Sequence, residues 1–385
     1  MGAQIRVSHV IWGYLGGGVD SVLDSYLQAD ELLPGKVASH VVIVRSPGST
    51  PEKLPKAGSA FDVVPNGISG IWNAARATAR LIKNNESDVV FLNGFNATIL
   101  GFLLRWYLSG GTPIVSTYHG AYFARSRVER LKAEIFNRLE RRFFRRHATA
   151  VIAVSHHSAA LLKAARVPAK KIIVLHNAVA LSPSEIAPKV HSATQDEQRP
   201  VKIITVSRLV PPKGLDILIR AFQGVARAFP KTELEIVGSG PLEMELKSLV
   251  QDLSLCDRVR FLGNRTDIAE LLATANVFAM TSRQENHSIS ILEAMRAGLP
   301  LVVTDVGGNS ESVRDGCDGF LVPDRDVSAA ERAISELVAS PEVRARFGRS
   351  ARARYEAEFE SSILVRNLYG ILTELVGSEM VERNG

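Results

Sequence analysis

The sequence predicts an α/β protein made of two doubly wound domains. Three observations predict it. Short β-branched runs alternate with helical stretches along the whole chain, a pattern of parallel sheets covered by helices. Runs such as Leu301-Val302-Val303 are apolar without alternation, as strands buried on both faces are. A chain of 385 residues can bury two cores, and a polar stretch lies near its middle.

In the first half, strands are expected at 5–9, 39–44, 88–92, 113–117, 150–154 and 172–175. Helical stretches fall between several of them, at 69–84 and 128–147. In the second half, strands are expected at 202–206, 233–237, 259–262, 277–280, 301–304 and 320–322. Helical patterns separate these at 214–229, 242–252, 267–273 and 289–297. The segment 181–200 is rich in Pro, Ser and polar residues and has no period. The expected division is a first domain over 1–182, a linker over 183–200, a second domain over 201–360 and a closing helical tail over 361–385. A ligand cleft is expected between the two domains.

Composition excludes several classes. Cys256 and Cys317 are the only cysteines, too few for a disulfide framework or a thiolate metal cluster. No metal ligand set is assigned, and a reducing, cytoplasmic location is the default. No uncharged apolar run reaches about 18 residues, so no transmembrane helix is expected. The chain opens Met-Gly-Ala-Gln-Ile-Arg-Val and enters a strand pattern, unlike a signal peptide.

The net charge of +6 is concentrated. Segment 125–147 carries nine arginines and lysines against three glutamates, a surplus equal to that of the whole chain. Within it, Val128, Leu131, Ile135, Leu139 and Phe143 recur at helical spacing. Two readings stay open. The stripe packs on the first domain with its arginines solvated, or the helix, with Phe144, rests on an anionic membrane surface. Nucleic acid is not expected, because no aromatic platform beyond Phe143-Phe144 and no nucleic-acid motif accompanies the charge.

Open α/β sheets bind ligands beyond the carboxyl ends of their strands. After 202–206 come Ser207-Arg208-Leu209 and Pro211-Pro212-Lys213-Gly214, then a helix. Fixed cations beside helix amides suit a diphosphate, although alone these two read equally as solvated surface charges. After 233–237 comes Gly238-Ser239-Gly240-Pro241, a turn that lets backbone approach a ligand. After 277–280, Glu285 lies in the loop before a helix that Ser288 would cap, and Glu293 lies inside that helix on an apolar stretch. A carboxylate there needs a partner, and a vicinal diol would serve. In the first half, Gly16-Gly17-Gly18 follows the first strand with neither the dinucleotide nor the P-loop spacing. His119 stands at the end of strand 113–117, next to Gly120.

These pieces resemble the retaining GT-B glycosyltransferases of family four (glycosyl transferases group 1). The resemblance spans most of the chain and is strongest over 206–323. It is carried by Ser207-Arg208-Leu209 with Lys213-Gly214, Gly238-Ser239-Gly240-Pro241, Phe261-Leu262-Gly263, the pair Glu285 and Glu293, Leu292-Glu293-Ala294-Met295, and Asp305-Val306-Gly307-Gly308-Asn309. It implies that Arg208 and Lys213 grip the donor diphosphate, that Glu293 binds the ribose hydroxyls and that Glu285 contacts the transferred sugar. Amides of His287, Ser288 and Ile289 would hold sugar and phosphate oxygens. Gly17 and Gly18 would lie against the phosphates and His119 near the sugar, while Gly240, Asn264 and Arg265 would line the nucleoside. It further implies a hexosyl transfer from a UDP- or GDP-linked sugar to a glycan or lipid-linked acceptor, with no metal or other cofactor required. The alternatives are a non-catalytic nucleotide-sugar or nucleic-acid binding protein, or a sugar-nucleotide epimerase on the same plan. The chain departs from the family pattern at Asn286 and His287, where a glycine and an aromatic are usual, and at Asn177-Ala178, where Asn-Gly is usual.

Overall fold

The computed structural model describes residues 4–12, 18–44, 59–63, 70–108, 111–120, 127–180 and 200–384. The chain divides into two units, Met1–Ala180 with Ser361–Gly385, and Leu181–Glu360.

In the first unit the β-branched runs form β1 (Ile5–Trp12), β2 (Val37–Val44), β3 (Ser59–Val63), β4 (Val89–Asn93), β5 (Ile114–Tyr118), β6 (Ala150–Ala153) and β7 (Ile172–Val174). They make one sheet in the order β3-β2-β1-β4-β5-β6-β7, and every described pairing is parallel. The helices between them are α1 (Gly18–Leu27), α2 (Ala29–Leu32), α3 (Gly70–Asn84), α4 (Phe95–Tyr107), α5 (Arg127–Arg146) and α6 (His156–Ala164). Edge strand β3 and helix α4 are among the elements that escape the sequence pattern. Edge strand β3 reads Ser-Ala-Phe-Asp-Val, with no β-branched run to mark it. Helix α4 is apolar over most of its length, so periodicity does not separate it from a buried strand. Its Gly101 admits a neighbour: a Cβ there would lie 2.6 Å from the Phe143 ring and 2.5 Å from Leu92.

Helix α5 buries Ala133, Glu140, Phe143 and Phe144. Leu131, Ile135 and Leu139 of the same predicted stripe are exposed. The stripe is therefore not one packed face, and Phe144 belongs to the core rather than to a surface. Glu140 sits in this apolar setting, and burial pushes its carboxyl up to about 8. No helix among the described residues is long and apolar enough to cross a membrane.

The second unit holds β8 (Val201–Val206), β9 (Thr232–Val237), β10 (Val259–Gly263), β11 (Val277–Met280), β12 (Leu301–Thr304) and β13 (Gly319–Val322). Their order is β10-β9-β8-β11-β12-β13, again with parallel pairings. The helices are α7 (Leu215–Ala228), α8 (Glu243–Asp252), α9 (Ile268–Thr274), α10 (Ile289–Arg296), α11 (Asn309–Ser312), α12 (Val327–Ala339) and α13 (Pro341–Arg354). On α7, Leu215, Leu218, Ala221, Phe222 and Val225 repeat at three- and four-residue steps and enter the core. Asp326 and Ser340 cap α12 and α13 by accepting hydrogen bonds from the Ala329 and Val343 amides. The last helix, α14 (Ser361–Asn384), packs on α1 and α2, so the C-terminal segment belongs to the first unit.

Candidate functional site

The strand order of the second unit creates the site. The chain builds β8, β9 and β10 outward in one direction, then returns to lay β11 on the other side of β8. A crevice opens at such a reversal, beyond the carboxyl ends of the two strands. The loops that leave β8 and β11 there are 207–214 and 281–288, which hold Arg208, Lys213, Glu285 and His287.

Backbone contacts knit these loops together. The Arg283 amide donates to Pro212 O at 2.7 Å, and the Thr281 hydroxyl donates to Gly214 O at 2.9 Å. Gly214 has a φ of +59°, and a Cβ on it would fall 2.1 Å from Thr281 O. The Thr304 hydroxyl, from the end of β12, donates to Ser282 O at 2.5 Å. Gly307, with φ +60°, lies so close to Glu285 that a Cβ would sit 1.7 Å from its carbonyl oxygen. Only glycine meets both demands at that position.

This framework brings Lys213 and Glu285 into contact, with Nζ 2.5 Å from Oε1. The same carboxylate oxygen accepts from the Ser282 hydroxyl at 2.7 Å. The pair is largely withdrawn from water: the side chains keep 18% and 9% of their exposure. A lysine ammonium carries three N–H groups, so two can serve an anion while one holds Glu285.

Helix α10 begins directly after this loop. Ser288 is its N-cap by backbone conformation, but its side chain caps no amide and instead pairs with the Ser290 hydroxyl at 3.1 Å. The amides of the first turn therefore take no hydrogen bond from a capping side chain. Glu293 is half-buried and lies on one side of α10 with Ile289 and Ala297, while Ile291, Leu292, Ala294 and Met295 enter the core. The carboxylate thus occupies the partly open stripe of the helix, and its apolar neighbours in sequence point elsewhere. His287 is buried, with Nε2 3.1 Å from the Ser312 hydroxyl and its ring 5.5 Å from that of Phe359.

The remaining predicted residues are placed as follows. Arg208 is exposed on its loop. Gly240 packs on the Leu209 backbone, where a Cβ would meet Leu209 O at 2.4 Å. The close approach that this glycine permits is thus one loop on another, reinforced by the Leu209 amide donating to Ser239 O at 2.9 Å. Asn264 and Arg265 are exposed; the Ser239 hydroxyl donates to Asn264 Oδ1 at 2.9 Å, and Arg265 pairs with Asp267. In the first unit, Gly17 lies outside the described residues and Gly18 begins α1. His119 follows β5, half-buried, and burial lowers its imidazole to about 4, so the ring is neutral at pH 7.

Several residues that build the site carried no sequence assignment. Thr281, Ser282 and Thr304 fix the loops and the Glu285 carboxylate, and Arg283 pairs with Asp216 at 2.7 Å. The available signal was their position: small hydroxyl residues at the ends of buried strands.

Solved structures share this fold. HepE from Anabaena, in complex with UDP, superposes with a TM-score of 0.76 at 21% identity, over 96% of this chain and 100% of that one. Sucrose-phosphate synthase from Thermosynechococcus elongatus gives 0.80 at 20% identity, over 97% and 100%. Among curated proteins, a GDP-mannose-dependent monoacylated alpha-(1-6)-phosphatidylinositol monomannoside mannosyltransferase of Corynebacterium glutamicum is 37% identical over 175 residues, 43% of this chain and 45% of the relative. The match therefore spans about half the length of that relative. A UDP-Gal:alpha-D-GlcNAc-diphosphoundecaprenol alpha-1,3-galactosyltransferase of Escherichia coli is 29% identical over 346 residues, 86% and 87% of the two chains. The family model Glycosyltransferase Family 4 matches 26–182 and the model Glycosyl transferases group 1 matches 188–354. With both units matched in sequence and in fold, the chain belongs to the group 1 glycosyltransferases of the GT-B class.

Proposed function

We propose that this protein transfers a hexosyl unit from a UDP- or GDP-linked sugar to a glycan or lipid-linked acceptor, with retention at the anomeric carbon. The observation that carries the reading is the Lys213–Glu285 pair, held at the β8/β11 reversal in the loop that leads into α10, whose first turn takes no side-chain cap from Ser288. The relatives named for GDP-mannose and UDP-galactose support the donor class. The complex of HepE with UDP supports it as well.

Each residue has a role in this scheme. Arg208 and Lys213 hold the diphosphate, and the amides of His287, Ser288 and Ile289 complete its cradle. Glu293, on the open stripe of α10, takes the ribose hydroxyls. Glu285 orients the sugar, its own position set by Lys213 and Ser282. Gly240, Asn264 and Arg265 line the nucleoside, Gly17 and Gly18 approach the phosphates, and neutral His119 serves as a hydrogen-bonding group near the sugar.

As the bond from the anomeric carbon to the diphosphate oxygen breaks, its electron pair stays on the nucleoside diphosphate. Lys213 and Arg208 stabilise the charge that develops there, the largest catalytic contribution in the scheme. The acceptor oxygen forms the new bond on the same face, and its proton passes to a phosphate oxygen of the leaving group. The two cations meet the charge requirement of the leaving group, so turnover is expected to survive a chelator. The protein acts at an anionic membrane surface, which it meets through 125–147.

A thermal-shift screen with UDP, GDP, ADP and their sugars tests the donor site, because a ligand that binds only the folded chain raises its melting temperature. Lys213→Ala is expected to lower turnover on the order of a hundredfold or more. Near-normal transfer by that variant, or no nucleotide-dependent shift in the parent chain, overturns the assignment.

A further inference from the structure

Lys213 is held on both sides by one neighbouring loop. The carbonyl before it, Pro212 O, accepts from the Arg283 amide at 2.7 Å. The carbonyl after it, Gly214 O, accepts from the Thr281 hydroxyl at 2.9 Å. The Arg283 side chain adds a third tie: its guanidinium reaches α7, where Nη2 donates to Asp216 Oδ2 at 2.7 Å. Asp216 lies in the first turn of that helix. Pro212, Gly214 and Asp216 are thus each tied to residues 281–283, and Lys213 stands inside the clasp. From there its Nζ reaches Glu285.

Stability does not explain the arginine. The two side chains of the Arg283–Asp216 pair keep 30% and 43% of their exposure, and an ion pair so open to water contributes little. The Arg283 Nε–H is buried and has no hydrogen-bond partner among the described residues, which counts against folding. Native chains keep such local violations mainly at functional sites. The charge is also matched by Asp216, so the pair adds no net positive charge beside the diphosphate site.

We infer that Arg283 is a positioning residue for the donor site. Through Asp216 it fixes the segment that carries Lys213, and so sets where the ammonium meets a nucleoside diphosphate. The inference rests on the donor-site reading above, in which Lys213 grips the diphosphate. Misplacing a working group by about 1 Å can cost on the order of a hundredfold. The Arg283 side chain is one of three ties, so its loss is expected to cost about tenfold.

The test is isothermal titration calorimetry of the full chain with UDP and with GDP, well below its melting temperature. Arg283→Gln should weaken binding of whichever nucleotide the parent takes by about tenfold. Asp216→Asn separates two causes by its sign. If the charges act only through space, removing the carboxylate tightens anion binding. If they act as a tie, the same change weakens it, by about fivefold. Arg283→Gln with Asp216→Asn should bind no more weakly than Arg283→Gln alone, because both remove one contact. In a Lys213→Ala background Arg283→Gln should have no further effect, since the residue to be positioned is gone. Melts of each variant are read alongside, so that weakened binding by a fully folded chain is assigned to the site. The inference is overturned if Arg283→Gln binds as the parent does, or if Asp216→Asn binds more tightly. It is equally overturned if Arg283→Gln weakens binding as much in the Lys213→Ala background as in the parent, the mark of a direct ligand contact. A parent chain that binds neither nucleotide, or a Lys213→Ala chain that binds as well as the parent, overturns the donor-site reading and this inference with it.

Discussion

Replacing Lys213 with alanine leaves the Glu285 carboxylate inside the second unit with the Ser282 hydroxyl and no cation. The structure sets the scale of the effect. At 2.5 Å the pair attracts by about 6–7 kcal/mol under an effective dielectric of about 20, most of which offsets the desolvation of the two ions. Removing one partner of a buried pair costs about 3–5 kcal/mol. The surviving Ser282 bond and the 18% exposure of the lysine place this site at the lower end, about 3 kcal/mol. For a unit of this size that is a fall in melting temperature of about 6–12 °C. Calorimetric melts provide the assay. Adding Glu285→Gln should restore about 2 kcal/mol, since the stranded charge is then gone. A Lys213→Ala melt within about 1 °C of the parent, or an equal melt for single and double variants, refutes the argument.

Three further outcomes follow from the geometry. Gly307→Ala puts a Cβ against the Glu285 carbonyl at a positive φ, so nucleotide-dependent thermal shift should be lost while circular dichroism keeps the parental helix content. Glu140 is an acid whose folded pKa, about 8, lies above its unfolded value; its contribution to stability is full below the unfolded pKa and is lost as pH rises through about 8. Glu140→Gln should therefore flatten the melting temperature between pH 5 and 8 and stabilise the chain at pH 8.5, read by thermal melts. Phe143→Ala empties a fully buried position and should cost about 3–5 kcal/mol in urea unfolding, whereas Leu131→Ala, on the exposed stripe, should cost less than about 1 kcal/mol.

Much of the second unit is legible from sequence because its signals are local. Buried strands such as Val277–Met280 and Leu301–Thr304 are unbroken apolar runs, and each ends at a loop whose polar residues stand out. That placed Arg208, Lys213, Glu285 and Glu293 at one sheet edge. Glu293 stands in an apolar stretch of sequence, and α10 turns the apolar residues of that stretch to the core and leaves Glu293 on a half-buried stripe. The packing of Gly240 on the Leu209 backbone is a contact between loops that the local sequence does not show.

By itself the sequence determined the alternation of strands and helices, the parallel sheets and the residues that end the strands, because these depend on the chemistry of neighbouring positions. Tertiary structure alone decided that Lys213 meets Glu285, 72 residues away, because that contact exists only once β11 pairs with β8. It also decided that α14 closes on the first unit, and that the α5 stripe divides into a buried end at Phe143 and an exposed run from Leu131 to Leu139. Periodicity establishes which residues share a helix face. Whether that face is covered depends on the elements folded against it, and those come from distant parts of the chain.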